Sequence, residues 1–505
     1  MTQAPHEIEL KFSLPAERAA ELAQTIPELA DAAPVRQVSV YFDTPKRTLS
    51  RAGFALRVRR SGDSFVQTLK DGGDGVMSRG EWEAPLSGGK PSLAKARATP
   101  AGQLLPKGVA LEPQFSVDVL RRKALVTEGD SQVEFAFDQG VAKARDRQAA
   151  FAELELELKV GPVSGVFAAA RRVIGLGDLT LSFTTKAERG ATLARPPRSQ
   201  AQRFRPPALN QGMTSGAAFQ AIAKACLVQI AGNAERLRHR PSPEVIHQAR
   251  VGLRRLRSLN TTFKTVVGDS RLPAIKAELK WLTAEFDAAR SLDVLLKGDY
   301  RAAVLQRDVT DGLKNLGARL RAARRLAYAR AATAGESERF RRLLLDLLIW
   351  IETGPWIGAD VLAKARDQRI TKFARAALTK RRRKILRRGR ELERLSVAER
   401  HKLRIDAKKL RYAADVFEGL FDRPKRAAAF IDALKEVQDA LGDLNDIAVG
   451  ERLAHDTAVS AGLGEADTAF VAGRITGVQK SRVPPLLTRA HTALEGFEDV
   501  KPFWT

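Results

Sequence analysis

Short runs of alternating apolar and polar residues fill about the first 190 positions, whereas long Ala-, Leu- and Arg-rich stretches with few glycines follow from about residue 213. Alternation with a period of two predicts half-buried β-strands, and the long stretches predict helices. The clearest alternating run is ELELELK at 153–159, where three glutamates and a lysine face one side and three leucines the other. Between the two parts, residues 194–212 contain four prolines in two pairs, which predicts a semi-rigid linker.

Several predicted strands carry charge of only one sign on their polar face. The same alternation occurs in EIELKF (7–12), FALRVRR (54–60), FVQTLK (65–70), RGEWE (79–83) and VEFAFD (133–138). One such strand alone is typical of an ordinary sheet with one solvated face. A row of carboxylates repels itself unless a cation neutralises it, and hard oxygen ligands suit Mg²⁺ or Mn²⁺. Rows of Arg and Lys suit phosphate. If the sheet closes into a barrel, both rows face one lumen, which favours metal-assisted attack on a phosphoryl group.

The ordered set of these segments resembles the CYTH superfamily, the triphosphate tunnel metalloenzymes. The set comprises EIELKF (7–12), YFDTP (41–45), LRVRR (56–60), TLK (68–70), RGEWE (79–83), VEFAFDQG (133–140), ELELELK (153–159) and TTKAERG (184–190). The resemblance covers roughly residues 5–195. It implies an eight-stranded antiparallel tunnel with flanking helices, which binds a linear triphosphate end-on together with a divalent cation, Mg²⁺ or Mn²⁺.

Position by position, the resemblance also implies roles for individual side chains. The metal-binding carboxylates would be Glu7, Glu9, Asp138, Glu153, Glu155 and Glu157. The phosphate-binding cations would be Lys11, Arg57, Arg59, Lys70, Arg79, Arg121, Lys186 and Arg189. The catalytic residues would be Glu7, Glu9, Lys11 and Glu155. No arrangement of a nucleophile with a histidine base is evident, and the single cysteine, Cys226, is interpreted as a small core residue.

The second part of the chain contains a repeated basic motif. HQARVGLRRLR at 247–257 and HKLRIDAKKLR at 401–411 both read H-x2-R-x3-[RK]-[RK]-L-R and lie 154 residues apart. On a helix the histidine and the basic positions fall within an arc of roughly 160°, while Leu256 and Leu410 lie on the opposite side. An acidic element follows each copy. The repeat predicts a duplicated helical bundle with a shared anion-binding surface. A single basic face would otherwise be typical of a solvated helix, and each histidine either donates to phosphate or caps and packs.

This part resembles the CHAD domain, the conserved-histidine α-helical domain, over about residues 213–500. The resemblance implies binding of inorganic polyphosphate along a basic channel between two four-helix halves. The residues that match are His247, Arg250, Arg254, Arg255, Arg257, His401, Arg404, Lys408, Lys409, Arg411 and Tyr412. One departure is Ser291, where the family usually has the Asp of an Arg-Asp pair. The run TKRRRKILRRGR at 379–390 either extends the anion path or is a solvated helix.

The distribution of charged residues supports this division of the chain into two parts. The chain has 505 residues and a formal net charge of +26, of which residues 1–200 contribute only +4 and the rest +22. Such charge predicts a polyanionic partner. A start without a secretory signal, and an apolar stretch at 343–351 that is too short to span a bilayer, favour a cytoplasmic protein without a membrane partner. Association with polyphosphate granules is a further expectation. The predicted fold class is α+β multidomain: a tunnel domain at 1–195, a Pro-rich linker at 196–212 and an all-α domain of duplicated four-helix bundles at 213–505.

The leading functional hypothesis is a metal-dependent inorganic triphosphatase, which hydrolyses triphosphate to pyrophosphate and phosphate and binds polyphosphate through its C-terminal domain. The alternatives are another activity of the CYTH type, thiamine triphosphatase or adenylate cyclase, and a non-catalytic adaptor that binds polyphosphate or nucleic acid. Nucleic acid suits the basic helices less well, because they lack aromatic platforms apart from Tyr412.

Overall fold

The computed structural model describes residues 6–73, 75–194, 201–305, 310–459, 471, 473, 477 and 481–505. Residues 195–200, where the predicted linker begins, lie outside them. The chain divides into two compact units, which are described separately below. The barrel unit comprises Met1–Ala201 and Glu336–Thr353, and the helical unit comprises Gln202–Gly335 and Gly354–Thr505. Among the described residues, no helix is long and apolar enough to cross a membrane.

A closed antiparallel barrel of eight strands forms the centre of the barrel unit. The strands are β1 His6–Leu14, β2 Val35–Asp43, β3 Ala55–Ser61, β4 Ser64–Lys70, β5 Ser78–Leu86, β6 Glu112–Glu128, β7 Ser131–Ala144 and β8 Arg147–Val160. Neighbouring strands pair in the order β5-β4-β3-β2-β6-β7-β8-β1, and β1 also pairs with β5, which closes the ring. A short ninth strand, β9 Thr180–Leu181, pairs with the end of β1. The predicted eight-stranded barrel is therefore confirmed.

The alternation in the sequence sets the two faces of this barrel. Along β7 and β8, Phe135, Phe137, Leu154 and Leu156 are fully buried on the face opposite the carboxylates. Helix α5, Ser164–Val173, contacts both strands and covers this outer apolar face. Because successive side chains of a strand point to opposite faces, the glutamates between these apolar residues face the barrel interior.

Within the described residues, seven α-helices accompany the barrel. They are α1 Ala19–Thr25, α2 Pro27–Ala30, α3 Thr48–Arg51, α4 Leu93–Arg97, α5, α6 Lys186–Leu193 and, far along the chain, α13 Glu338–Thr353. Helix α13 contacts α5 and β9. Arg171 of α5 lies 2.8 Å from Asp346 of α13. The most apolar stretch of the sequence, at 343–351, therefore belongs to the barrel unit and not to a membrane span.

The helical unit confirms the predicted helical character of the C-terminal part. The α-helices of its described residues are α7 Ser215–His239, α8 Pro243–Thr262, α9 Lys264–Val267, α10 Leu272–Leu295, α11 Arg301–Leu305, α12 Asp311–Glu336, α14 Asp360–Arg366, α15 Ile370–Gly389, α16 Val397–Phe417, α17 Pro424–Val459 and α18 Val483–Asp499. Thr214 and Arg369 form an antiparallel bridge that joins the starts of α7 and α15. These two positions precede the two basic motifs by 33 and 32 residues. The repeat of the sequence is thus a repeat of the structure, and the motif helices α8 and α16 contact each other.

Candidate active site and anion-binding surface

Charged side chains of both signs line the interior of the barrel. Across neighbouring strands, Glu7 lies opposite Arg79, Lys11 opposite Glu155, and Asp138 opposite both Arg121 and Glu153. Directly opposed residues project from the same face of a sheet. The sequence-predicted residues of the strands therefore share the barrel interior, and Lys186 and Arg189 reach it from helix α6.

Three carboxylates converge deep in this lumen. One oxygen from each of Asp138, Glu153 and Glu155 lies within 4.8 Å of the others, and all three residues are buried. Glu153 is fully buried, and its Oε2 has no hydrogen-bond partner among the described residues. Buried carboxylate oxygens that converge in this way are the ligands that hard divalent cations prefer. The residues of this carboxylate cluster therefore fit a metal ion.

The cluster is neutralised by Lys186 and Arg121. Helix α6 begins with a capping box, which fixes its first residue, Lys186, at the barrel interior. The Nζ atom of Lys186 lies 2.8 Å from Asp138 Oδ2 and 2.9 Å from Glu155 Oε1, and it also contacts Glu153. Arg121 Nε lies 2.6 Å from Asp138 Oδ1, and Arg121 Nη2 lies 2.6 Å from Glu155 Oε2.

These cations determine the charge state of Glu155. Burial alone would raise its pKa, but Lys186, Arg121 and Lys11 together hold the pKa well below its usual value. Asp138 has a lowered pKa for the same reason, because Lys186 and Arg121 outweigh the effect of burial. Carboxylates held so firmly ionised are poor proton acceptors near neutral pH. They are suited to binding a cation.

A second group of charges lies on β1 and its neighbours. Lys70 Nζ lies 2.7 Å from Glu7 Oε2, and Arg79 Nε lies 2.9 Å from the same oxygen. Arg79 also contacts Glu9. Burial would raise the pKa of Glu7, but Lys70 and Arg79 lower it below the usual value. Lys11 connects this group to the carboxylate cluster, at 3.5 Å from Glu9 and 3.4 Å from Glu155.

Glu157 lies apart from both groups. It pairs with Lys159 at 2.6 Å and is partly exposed. Burial raises its pKa, an effect that the neighbouring Lys159 opposes. The six carboxylates predicted as metal ligands thus divide into the cluster of three, the Glu7 and Glu9 pair, and Glu157.

Arg57, Arg59 and Arg189 pair with carboxylates at more than 3 Å. Arg57 lies 3.8 Å from Glu81, Arg59 lies 3.3 Å from Glu83, and Arg189 lies 3.9 Å from Glu153. The buried Nε atoms of Arg57 and Arg189 have no hydrogen-bond partner among the described residues. These guanidinium groups therefore retain donor capacity for an anion.

Sequence reasoning missed the role of Glu81 in this network. Its carboxylate lies 3.1 Å from Lys70 and pairs with Arg57, so it links two predicted phosphate-binding residues. The signal was present, because Glu81 alternates with Arg79 along RGEWE and faces the same side of β5. Only its strand partner, Lys70, identifies it as part of the site.

In the helical unit, one set of motif residues forms a basic cluster. We define it as His247, Arg250 and Arg254 of α8 with Arg404 and Lys408 of α16. Burial, followed by Arg404 and Arg254, lowers the pKa of Lys408 to about 7. Burial and neighbouring arginines lower the pKa of His247 to about 4. The buried His247 Nδ1, Arg254 Nε and Arg404 Nε have no hydrogen-bond partner among the described residues. Mutually repelling arginines and unsatisfied nitrogens make this cluster a candidate anion-binding surface.

Acidic and amide side chains of neighbouring helices contact several residues of the two basic motifs. Arg250 Nε lies 2.6 Å from Asp287 of α10, and Arg404 lies 3.3 Å from Asp446 of α17. His401 Nδ1 contacts the side-chain oxygen of Asn445. The first-repeat Asp293, near Ser291, instead lies 2.6 Å from Arg324.

The other predicted residues of the helical unit lie elsewhere. Arg255 is buried between the rings of Phe204 and Tyr412, at 3.8 and 5.0 Å from their centroids, and lies 3.4 Å from Asp415. Arg411 acts electrostatically on the same Asp415. The two motif leucines are fully buried, as the helical pattern predicts.

The motif residue Lys409 lies near cations of helix α15 and Arg257 of α8. Burial is the main cause of the lowered pKa of Lys409, and Arg381, Lys384 and Arg257 lower it further.

Cys226 is buried in α7, as the sequence predicts, and burial raises the pKa of its thiol to about 12, which makes the thiol unreactive.

Comparison with known proteins matches both parts of the chain. The family model of the CYTH domain matches residues 5–191, and that of the CHAD domain matches residues 221–455. An inorganic triphosphatase of Haemophilus influenzae is 32% identical over 193 residues, which cover 37% of this chain and 54% of that protein. The match thus spans about half the length of that relative.

Two solved structures are similar to part of this chain. The crystal structure of the CHAD domain from the plant Ricinus communis is 31% identical, with a TM-score of 0.52, and covers 58% of this chain and 96% of that chain. PptA from Streptomyces chartreusis is 19% identical, with a TM-score of 0.41, over 56% of this chain and 100% of that chain. The chain therefore belongs to the proteins in which a CYTH domain, here at residues 5–191, is followed by a CHAD domain, here at residues 221–455.

Proposed function

We propose that this protein is a metal-dependent inorganic triphosphatase, which hydrolyses triphosphate to pyrophosphate and phosphate in the barrel lumen. One observation carries the proposal: a buried cluster of three carboxylates and two partly unsatisfied arginines, Arg57 and Arg189, line the same closed barrel. The name of the relative from Haemophilus influenzae, an inorganic triphosphatase, supports the same reaction.

The metal would be held by the carboxylate cluster, with Glu7, Glu9 and Glu157 as further ligands. Mg²⁺ or Mn²⁺ fits an all-oxygen site, and when bound it supplies a Lewis acid for phosphoryl oxygens and lowers the pKa of bound water. The Oε2 of Glu153 accepts no hydrogen bond from a described residue and offers a ligand atom. Lys186 neutralises the cluster without metal, and its flexible stem allows its ammonium group to turn to phosphate when a metal replaces it.

The cations of the lumen would bind and orient the triphosphate. Arg57, Arg59, Lys70, Arg79 and Arg121 approach from β3 to β6, and Lys186 and Arg189 approach from α6. Lys11 stays protonated, because Glu9 and Glu155 raise its pKa although burial would lower it. We assign Lys11 to charge stabilisation at the reacting phosphoryl group, and Glu7, Glu9 and Glu155 to the catalytic carboxylates.

Phosphate release from triphosphate by the full chain, with Mg²⁺ or Mn²⁺, tests this proposal. We expect Glu155→Gln and Glu7→Gln each to lower the rate by at least about 100-fold, the loss typical of groups that stabilise charge in the transition state. Mn²⁺ binding, measured by electron paramagnetic resonance, should weaken in Glu155→Gln independently of turnover.

The exposed Glu112 supplies the matched control. Glu112→Gln removes the same charge from an exposed position at the start of β6 and should leave both measurements unchanged. Full activity in a correctly folded Glu155→Gln variant would refute the proposal. A panel of triphosphate, ATP and thiamine triphosphate separates the alternatives, and preference for either organic substrate would replace inorganic triphosphatase by that activity.

For the helical unit, we propose that the basic cluster binds inorganic polyphosphate. The unsatisfied nitrogens of His247, Arg254 and Arg404 support an anionic ligand at the contact of α8 and α16. A cytoplasmic location, with recruitment to polyphosphate granules, belongs to this proposal. Imaging of the protein in cells with and without polyphosphate would test it, and an unchanged distribution would count against recruitment.

A further inference from the structure

The outward face of α15 is a continuous basic stripe. From 371 to 390, the exposed residues are Lys372, Arg375, Ala376, Lys380, Arg383, Lys384, Arg387 and Arg390. They recur every three or four positions, so they lie on one side of the helix. Residues 370–390 contain no acidic residue. At the rise of an α-helix, the stripe is roughly 27 Å long.

Four of these cations have no partner within the described part of the chain. Lys384 pairs with Asp406 at 2.9 Å, and Arg390 pairs with Glu498 at 2.8 Å. In contrast, the side chains of Lys372, Lys380, Arg383 and Arg387 make no hydrogen bond or ion pair with any described residue. Like charges at these spacings destabilise a helix by mutual repulsion. An external anion would relieve this repulsion.

The equivalent helix of the first repeat shows that the fold does not require the stripe. The bridge between Thr214 and Arg369 makes α7 the counterpart of α15. Helix α7 has three Lys or Arg residues and one Glu, and none of its residues before His239 is exposed. The same position in the bundle therefore folds as a covered, weakly charged helix. The exposed basic residues of α15 are therefore not required by the repeated fold.

The stripe adjoins the second motif helix. On α15, Lys384 lies next to Arg383 and Arg387 on the same exposed face. Lys384 is also in contact with Asp406, which lies on α16 between the motif residues Arg404 and Lys408. A linear anion on the stripe thus lies close to the helix that carries two of the five residues of the basic cluster.

We propose that Lys372, Lys380, Arg383 and Arg387 form a second binding surface for inorganic polyphosphate, which holds the part of a long chain that extends beyond the basic cluster. This inference rests on the proposed binding of polyphosphate by the helical unit. The chemistry favours a phosphate polymer over a nucleic acid, because Phe373, the one aromatic residue of α15, is buried and offers no ring on which bases stack.

The test compares two full-length variants with the same change in net charge. In the stripe variant, Lys372, Lys380, Arg383 and Arg387 are replaced by Gln. In the control variant, the exposed Lys280, Arg325, Lys364 and Lys425 are replaced by Gln. Binding of long-chain polyphosphate and of a short oligophosphate is measured without divalent metal at several salt concentrations.

We expect the stripe variant to bind long chains at least about tenfold more weakly and to lose about three units of the logarithmic salt slope, because four phosphate contacts disappear. The short oligophosphate should bind unchanged, and the control variant should stay within about twofold of the unaltered protein. Unchanged melting temperatures verify the fold of both variants.

The other outcomes overturn the inference in distinguishable ways. If the unaltered protein binds no polyphosphate, the proposed function of the helical unit fails as well. If it binds, and the stripe variant binds long chains equally well, only the stripe is refuted. An equal loss in the control variant would mean that net charge alone acts. A larger loss for single-stranded DNA than for polyphosphate would refute the choice of ligand.

Discussion

Lys408 lies among charged side chains from three helices. Burial, with Arg404 of its own helix and Arg254 and Arg250 of α8, lowers its pKa from the ordinary 10.5 to about 7, while Asp446 of α17 opposes the shift. A bound phosphate favours the charged ammonium, so binding takes up a proton near neutral pH. We therefore expect the affinity for polyphosphate to rise as the pH falls from about 8 to about 6. Calorimetric titration in buffers of different ionisation enthalpy measures this uptake.

The matched variants for this prediction are Lys408→Arg and Lys402→Arg. An arginine stays charged throughout this pH range, so Lys408→Arg should bind with little pH dependence. Lys402 is exposed on the same helix, and Lys402→Arg should keep the dependence of the unaltered protein. His247, with a pKa of about 4, does not titrate in this range. An undiminished dependence in Lys408→Arg would assign the proton to another group.

At the residue scale, the alternating pattern was sufficient to predict which side chains face the barrel interior. It separated Glu153 and Glu155 from the apolar Leu154, and the structure places them on opposite faces. It was not sufficient to predict which carboxylates meet. Asp138 reaches Glu153 through the register of β7 with β8, and Lys186 arrives from a helix, and neither relation is present in a local pattern.

At the element scale, helix α13 has the largest consequence for experiments. It belongs to the barrel unit, where it contacts α5 and β9, although it lies between helices of the other unit in the sequence. Its apolar residues, among them Phe340, Leu344 and Leu348, are buried. Burial of each such side chain contributes about 1.5–3 kcal/mol. We expect a fragment of residues 1–201 to be less stable than the intact unit by several kcal/mol, or to aggregate.

Thermal unfolding of two fragments checks this expectation. Residues 1–201 alone should melt at a lower temperature than the same residues joined through a flexible linker to residues 336–353. In the full chain, Leu344→Ala should cost about 2–5 kcal/mol. Asp346→Asn removes the partly exposed pair with Arg171 and should cost less than about 1 kcal/mol. Equal stability of the two fragments would contradict the assignment of α13 to the barrel unit.

Helical periodicity was informative for the motif helices but incomplete. It placed Leu256 in the core, where the structure has it. It also grouped Arg255 with the other basic positions, whereas the structure buries that guanidinium between two aromatic rings. One ring belongs to Phe204, which lies within the predicted linker. A partner supplied from a distant segment leaves no trace in the period of a helix.

At the scale of the whole molecule, the division of charge separates two kinds of phosphate site. The first 200 residues carry a net charge of only +4, because the carboxylates and cations of the lumen nearly cancel. The rest of the chain carries +22, and helix α15 exposes cations that have few acidic partners among the described residues. A balanced site suits a small anion together with a metal, whereas a site of one sign suits a long polyanion.

Competition binding tests whether the positively charged helical part prefers polyphosphate to nucleic acid. At one fixed salt concentration, we expect the full chain to prefer polyphosphate over single-stranded DNA. Combined Arg250→Gln, Arg254→Gln and Arg404→Gln should weaken polyphosphate binding by more than about tenfold, since these contacts are lost together. Asp146→Asn, in the exposed turn between β7 and β8, should change neither affinity. Preference for DNA would identify the helical unit as a nucleic-acid-binding domain.

The position of α13 in the sequence also delays completion of the barrel unit during protein synthesis. A ribosome adds about 5–20 residues per second, so roughly 8–32 s pass between the end of α6 and the end of α13. During that interval α7 to α12 are synthesised, while the surface of α5 and β9 that α13 later contacts stays without α13. The nascent barrel unit therefore cannot be completed before α7 to α12 have been made, and its two segments associate only after the intervening residues 202–335 have been synthesised.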